Sequence, residues 1–215
     1  ALPPGVLGYD PSFSTGPVYD PARAMALLDL YGYVDRDGDG WRDLPDGRPL
    51  VFRYATDPSQ LSRLFTELWQ KNLTAIGVRM EVEVEQWPEL RKKSKAGKLQ
   101  NWFLGWNADW PDGENFYQLL YGPYCGSSND GCFQWAPFDR LYEKAASLAP
   151  GPERAAIYRE MARVTAVMAP WKTFVHRRRE QMVQPWILGW RKHQFLHDAY
   201  RYVDIDLAER AKWLH

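Results

Sequence analysis

The feature that most constrains the fold is an alternation of strand-like and helix-like segments between residues 48 and 106. Residues 50–55 alternate loosely and predict a strand, and residues 78–85 alternate strictly between apolar and charged side chains. Apolar side chains recur at helical spacing between these two strands. A short basic helix at 87–95 and a mostly apolar strand at 101–106 follow. This order predicts an α/β fold in which a mixed β-sheet is flanked by helices.

Further helices and strands are predicted on both sides of this region. Asp20 and Pro21 form an N-cap and first-turn pair that begins a helix ending at Gly32. Helical patterns also occur at residues 58–75, 114–121, 138–148 and 153–168. Strand-prone segments occur at residues 171–176, 182–183, 186–190 and 200–205, before a polar helical tail.

The charge and aromatic content bound the function. The chain has 27 basic and 27 acidic residues, so its formal net charge is zero. This balance argues against a general electrostatic affinity for nucleic acid or for anionic membranes. Aromatic residues reach 15%, including 11 Trp. Because Trp and Tyr combine an apolar body with a polar group, this content favours a binding surface as well as a core.

Two cysteines, Cys125 and Cys132, flank six small, turn-forming residues. Such a segment is able to bring the two sulfur atoms together, and the sequence predicts a disulfide and therefore an oxidising compartment. The alternative is a loop with two free thiols. The spacing is not that of a CxxC redox motif, and a second cysteine pair that would complete a zinc site is missing from the sequence.

An acidic loop at residues 35–46 has the spacing of a calcium-binding loop. Four aspartates stand at its first, third, fifth and ninth positions: Asp35, Asp37, Asp39 and Asp43. Oxygen atoms at this spacing can converge on one hard cation, so a structural calcium ion is one interpretation. The twelfth position is Asp rather than a bidentate Glu, and a strand follows instead of a helix. A tight turn held by Asp side chains bonded to backbone N–H groups is the other interpretation.

Patterns that carry catalysis are weak in this sequence. His193 and His197 have the spacing of metal ligands on one helix face, but the segment is strand-prone and lacks the Glu of a metalloprotease. Residues 177–179 are three arginines, which on a neutral chain are interpreted as a solvated strand end rather than a phosphate site. Because the sequence offers no nucleophile–base pattern, we predict that the protein is not an enzyme and requires no cofactor.

The most informative segment for function is residues 105–116, in which Asp109 lies between Trp106 and Trp110 after an apolar strand. In α/β proteins, ligands bind beyond the carboxyl ends of strands. A carboxylate between indole rings suits a cationic amine, through charge and cation–π contact. The alternative is that Asp109 caps the following turn while the rings pack in the core.

Five stretches form an ordered set of motifs: YDPARAMALL at 19–28, the Asp/Gly-rich loop at 35–43, LWQKNLTAIGV at 68–78, GWNADWPDGENF at 105–116 and FDRL at 138–141. Together they resemble the extracellular solute-binding proteins of peptide-type ABC importers, the oligopeptide- and dipeptide-binding proteins. The resemblance extends over nearly the whole chain. It implies a type II periplasmic-binding-protein-like fold, in which two lobes close over a ligand and deliver it to a membrane permease.

The resemblance also implies an organisation of the chain. Residues 1–19, rich in Pro, Gly and Ser, would be an extended hinge or linker arm. Residues 20–185 would be the C-terminal ligand-binding lobe, and residues 186–215 a return segment towards an N-terminal lobe. The expected partners are a peptide or other small solute, permease subunits and that N-terminal lobe, in the periplasm or anchored outside the membrane. The alternative function is a calcium-stabilised secreted hydrolase fragment.

Ligand-binding residues follow from the same resemblance. In peptide-binding members, the Asp of the motif at 105–116 holds the α-amino group of the peptide, and its counterpart here is Asp109. Trp106 and Trp87 match aromatic residues that flank the ligand. The basic residues that oligopeptide binders place before this motif are replaced by apolar residues at 102–104. The preferred length and charge of a peptide therefore stay open.

Overall fold

The computed structural model describes residues 2–13, 18–176, 180–192, 195 and 199–213. Its α-helices are α1 (Pro21–Leu30), α2 (Gln60–Thr74), α3 (Trp87–Lys95), α4 (Glu114–Tyr117), α5 (Ala136–Ala146), α6 (Pro152–Met168) and α7 (Leu207–Ala211). Its strands are β1 (Val51–Thr56), β2 (Arg79–Val84), β3 (Asn101–Trp102), β4 (Ile187–Leu188) and β5 (Asp204–Ile205). Short 3-10 helices span Gln118–Leu120, Gly122–Tyr124 and Ala199–Tyr202. Across these described stretches, no helix is both long and apolar enough to cross a membrane.

Strands β2, β1 and β3 form a parallel sheet with β1 in the middle, and β4 and β5 form a separate antiparallel pair. The α/β fold class is confirmed, but instead of the predicted mixed sheet the described residues form a parallel sheet and a separate antiparallel pair. The predicted strand at 101–106 is paired only over Asn101–Trp102. Its register explains the difference, because Ala55 pairs with Trp102 and β1 ends one residue later, at Thr56. Beyond that point β1 offers no further backbone for pairing.

The helix starts follow the local capping chemistry. Helix α1 begins as predicted, since the Asp20 carboxylate accepts a hydrogen bond from the Arg23 backbone N–H at 2.9 Å. Helix α2 begins two residues later than the Asp-Pro pair at 57–58 suggests, with Ser59 as the N-cap. Asp57 accepts hydrogen bonds from the Ser59 backbone and from the Ser62 hydroxyl, and so supports the cap from outside the helix.

Two segments differ from the strand predictions. Residues 171–176 form no strand, and within the described residues the unit that contains them holds just the short β4–β5 pair. A strand-prone segment needs an accessible edge to pair with. In β2, Met80 is buried as the alternation predicts, but Val82 and Val84 are 37% and 59% exposed. This strand lies at the edge of its sheet.

The chain divides into two compact units. The first unit comprises Ala1–Thr15, Asn107–Tyr117 and Arg140–His215, and the second comprises Gly16–Trp106 and Gln118–Asp139. Buried residues of the first unit include Leu2, Val6, Phe116, Tyr117, Tyr158 and Met161. Buried residues of the second unit include Tyr54, Ala55, Met80, Leu90, Leu120 and Phe138. Helix α5 carries the chain from the second unit back into the first.

Candidate functional site

Asp109 lies in the loop that precedes α4, in the first unit, and its side chain is exposed. Its backbone N–H donates to Oδ1 of Asn115 at 3.3 Å, and Nδ2 of Asn115 donates to Oδ2 of Asp109 at 3.1 Å. Asn115 itself is fully buried. An exposed carboxylate that a buried amide orients is a suitable anchor for a cation.

The capping role belongs to Asp112 rather than to Asp109. Oδ1 of Asp112 accepts from the backbone N–H of Glu114 at 2.9 Å, at the start of α4. The same oxygen accepts from Nη2 of Arg154 at 3.1 Å and from the hydroxyl of Tyr158, both on α6. The segment at 105–116 therefore contains two aspartates in different environments, Asp112 tied into the core and Asp109 exposed.

The hydrogen bonds to Asp112 shift the pKa values of Tyr158 and Arg154. Burial is the main cause that raises the pKa of Tyr158, and its hydrogen bond to the Asp112 carboxylate raises it further. Burial opposes the charge of Arg154, yet its bonds to Tyr158 and Asp112 raise the pKa of the guanidinium. Tyr158 is therefore a neutral donor and Arg154 a cation in this network. Sequence reasoning missed Asp112, although an Asp two residues before a helix that begins with Glu is a local signal for a bond to the first N–H groups of that helix.

The three tryptophans expected at the site are all partly exposed. Trp110 follows Asp109 in the first unit and is 39% exposed. Trp106 and Trp87 belong to the second unit and are 39% and 47% exposed. Trp87 is the first residue of α3, and the guanidinium carbon of Arg91 lies 5.9 Å from the centre of its ring. Rings with this exposure are able to contact a ligand as well as neighbouring side chains.

The predicted disulfide between Cys125 and Cys132 is present. The loop that it closes lies in the second unit and contains Asp130, whose carboxylate forms a salt bridge with Arg91 on α3. The Asp130 side chain is 6% exposed and the Arg91 side chain 25% exposed. The disulfide loop is thus joined to the helix that begins with Trp87.

The acidic loop brings together three of the four predicted calcium ligands. Carboxylate oxygens of Asp35, Asp37 and Asp39 lie within 4.8 Å of one another. Asp43 is buried, and its Oδ2 accepts from the backbone N–H of Arg36 at 2.9 Å. Three carboxylates at this separation are able to hold a hard cation, whereas Asp43 serves the turn itself.

Hydrogen bonds to the loop's own backbone occupy the same carboxylates. Asp35 accepts from the backbone N–H groups of Gly38 and Gly40 at 2.8 and 2.9 Å. Burial raises the pKa of Asp35, but these backbone bonds outweigh it and lower the pKa below its usual value. Asp39 accepts from the Trp41 backbone and from Arg79. These contacts are those of the tight turn that the sequence offered as the second interpretation.

Two groups weighed as weaker sites, His193 with His197 and the arginines at 177–179, lie outside the described residues.

Comparison with known proteins finds bacterial solute-binding proteins, both as a family model and as individual relatives. The model of the family "Bacterial extracellular solute-binding proteins, family 5 Middle" matches residues 1–128. Heme-binding protein A of Haemophilus influenzae is 30% identical over 207 residues, which are 95% of this chain and 36% of that protein. Di/tripeptide-binding protein 2 of Pseudomonas aeruginosa is 32% identical over 178 residues, covering 81% of this chain and 31% of that protein.

Solved structures agree on the fold. The oligopeptide-binding protein AppA of Bacillus subtilis, in complex with a nonapeptide, superposes with a TM-score of 0.69 at 21% identity. The match covers 78% of this chain and 34% of that one. The chain therefore spans about a third of the length of the relatives that it matches.

Proposed function

Since the chain belongs to the bacterial extracellular solute-binding proteins of family 5, we propose that it forms the ligand-binding lobe of an ABC-importer receptor. In this proposal it is the C-terminal lobe, which encloses a peptide together with an N-terminal lobe and delivers it to a permease. Relatives from Pseudomonas aeruginosa and Bacillus subtilis, which are named for peptides, support this ligand class. The receptor acts in the periplasm or anchored outside the membrane, where the disulfide is stable.

The observation that carries the proposal is the arrangement of Asp109. Asp109 is exposed, its carboxylate accepts a hydrogen bond from Asn115, and the partly exposed ring of Trp110 follows it in the chain. A peptide has a positively charged amino group at its N-terminus, which such a carboxylate binds through a charge-assisted hydrogen bond. Trp110 supplies aromatic surface next to this carboxylate, and the ligand contacts of Trp87 and Trp106 are proposed from the sequence resemblance alone.

The proposed receptor is not an enzyme, and transport is driven by a partner ATPase. The relatives described above are named as binding proteins, which favours capture over hydrolysis of the ligand. The apolar residues at 102–104 leave the preferred length and charge of the peptide open.

The test is the substitution Asp109→Asn in the natural polypeptide that carries this chain. Removing one partner of a buried charge pair costs on the order of 2–5 kcal/mol. Binding of trialanine should therefore weaken at least roughly thirtyfold in a calorimetric titration. The melting temperature of the ligand-free protein should stay nearly constant, because Asp112 and not Asp109 caps α4.

A matched control is Asp46→Asn, which alters another exposed carboxylate and should leave affinity unchanged. N-acetylated trialanine should bind wild type weakly, since it lacks the charged amine. An Asp109→Asn affinity within threefold of wild type would show that Asp109 is not the anchor. Hemin is titrated in parallel because the Haemophilus influenzae relative is named for heme. Saturable binding of hemin without binding of a di- to pentapeptide mixture would overturn the peptide assignment.

A further inference from the structure

Asn115 is attached to both the backbone and the side chain of Asp109. Its Oδ1 accepts from the Asp109 backbone N–H at 3.3 Å, and its Nδ2 donates to Asp109 Oδ2 at 3.1 Å. One planar amide therefore restrains the loop and the carboxylate together. Because the amide is neutral, it orients the carboxylate without adding a counter-charge that would compete with a cationic ligand.

Asn115 is itself held firmly within the first unit. It is fully buried, and its backbone N–H donates to the carbonyl of Asp112 at 3.2 Å. Asp112 is joined to Arg154 and Tyr158 of α6. A chain of contacts thus leads from the buried face of α6 through Asp112 and Asn115 to the exposed carboxylate of Asp109.

We propose that Asn115 is a positioning residue for Asp109, which fixes the carboxylate in the orientation that receives the ligand's amino group. The inference rests on the proposed function, in which Asp109 is the anchor. An anchor that is already oriented loses less side-chain entropy when the ligand binds. Without Asn115, the same carboxylate would have to be ordered by the ligand, and specificity for a free amine would fall.

The binding test compares trialanine with N-acetylated trialanine in wild type, Asn115→Ala and the similarly sized Asn115→Leu. Both variants should lose about tenfold of the preference for the free amine, the size of an ordinary coupling between contacting residues. In an Asp109→Ala background, Asn115→Ala should change trialanine affinity by less than about threefold, since the residue acts through Asp109. A smaller folded fraction weakens the apparent affinity for both ligands by the same factor, so it cancels in the preference and a loss of stability does not imitate the effect.

The matched control is Asn129→Ala. Asn129 is also fully buried, but its bonds go to the backbones of Tyr121 and Phe133. This variant should lower the melting temperature and leave the preference for the free amine unchanged. A purely structural role for Asn115 would produce the same pattern, so an unchanged preference in both Asn115 variants would overturn the proposal.

A second readout needs no ligand. Hydrogen exchange of the Asp109 amide should accelerate in Asn115→Ala, because its acceptor is removed, and an unchanged rate would also overturn the proposal.

Different results would overturn the proposal that Asp109 is the anchor and the proposal that Asn115 positions it. If Asp109→Ala leaves trialanine affinity intact, the anchor is wrong and the positioning role falls with it. If Asp109→Ala weakens binding while the Asn115 variants do not, the anchor stands and only the positioning role is wrong.

Discussion

Two loops that contain aspartate, glycine and tryptophan differ in the bonds that Asp35 and Asp112 accept. In the acidic loop of the second unit, Asp35 accepts from backbone N–H groups three and five residues away. In the loop before α4 of the first unit, Asp112 accepts from Arg154 and Tyr158, 42 and 46 residues away. The first pattern shapes one turn, whereas the second joins separate elements.

The difference in burial gives the two patterns different energetic weight. The Arg154–Asp112 salt bridge has side-chain exposures of 12% and 13%, while Arg79 and Asp39 in the acidic loop are 39% and 45% exposed. Exposed pairs are screened by water and contribute little. Breaking a buried pair leaves the remaining charge without compensation. Similar residue types therefore give a local turn in one place and a structural junction in the other.

The largest expected effect comes from Asp112→Ala. It removes the acceptor of Arg154, of the Tyr158 hydroxyl and of the first N–H of α4. We expect the free energy of unfolding to fall by about 3–5 kcal/mol, as for other buried pairs that lose one partner. Denaturant unfolding followed by circular dichroism measures this change.

The matched substitution Asp39→Ala breaks the exposed pair with Arg79 and should cost less than about 1 kcal/mol. Equal effects of the two substitutions would contradict the contrast between the loops.

Replacing one glycine in each loop should lower stability by a smaller amount, and the physical cause should differ between the two loops. A Cβ atom on Gly113 would lie 2.8 Å from Cδ2 of Tyr158 and 3.0 Å from the carbonyl oxygen of Leu7, so Gly113→Ala should cost about 1–3 kcal/mol by overpacking. At Gly40 a Cβ atom meets nothing within 4 Å, but φ is +89°. There Gly40→Ala should cost roughly 1–2 kcal/mol through backbone strain.

The asparagine variants distinguish these two causes. Asn tolerates positive φ better than Ala, so Gly40→Asn should recover stability. Gly113→Asn should be worse than Gly113→Ala, because the larger side chain meets the same ring. Thermal melts of the four variants measure both differences. A recovery by Asn at position 113 would show that its constraint is conformational instead of steric.

Features that depend on neighbouring residues could be predicted from the sequence. Asp20 caps α1, and the small residues between Cys125 and Cys132 allow the disulfide. These depend on backbone geometry within a few residues. The resemblance identified the family, and the comparisons confirm it.

Features that depend on residues far apart in the chain could not be predicted from the sequence. The junction of Asp112 with α6 depends on Arg154 and Tyr158, which are 42 and 46 residues away and which local sequence does not indicate. The length of β3 is decided by where β1 ends in the sheet. Likewise, the buried place of Asn115 follows from packing. The ligand-binding roles of Asp109 and the tryptophans stay predictions, as does the division of the chain at residues 19 and 185.

The smallest expected effect is that of Asp37→Ala in the acidic loop, which decides between its two interpretations. Asp37 accepts from the Asp39 backbone N–H at 3.1 Å, and Asp39 is also bonded to Arg79. A calcium ion would have to compete with that guanidinium for Asp39, and Asp43 is turned to the backbone of Arg36. We therefore expect the substitution to shift the melting temperature by less than about 2 °C, as surface changes usually do.

The same contacts lead us to expect that calcium does not bind this loop. Millimolar calcium should then leave the melting temperature of wild type and variant unchanged, because an ion stabilises a protein only by binding its native state. A rise in wild type that Asp37→Ala abolishes would instead establish a calcium site, and the acidic loop would then resemble the loop before α4 in contributing to stability.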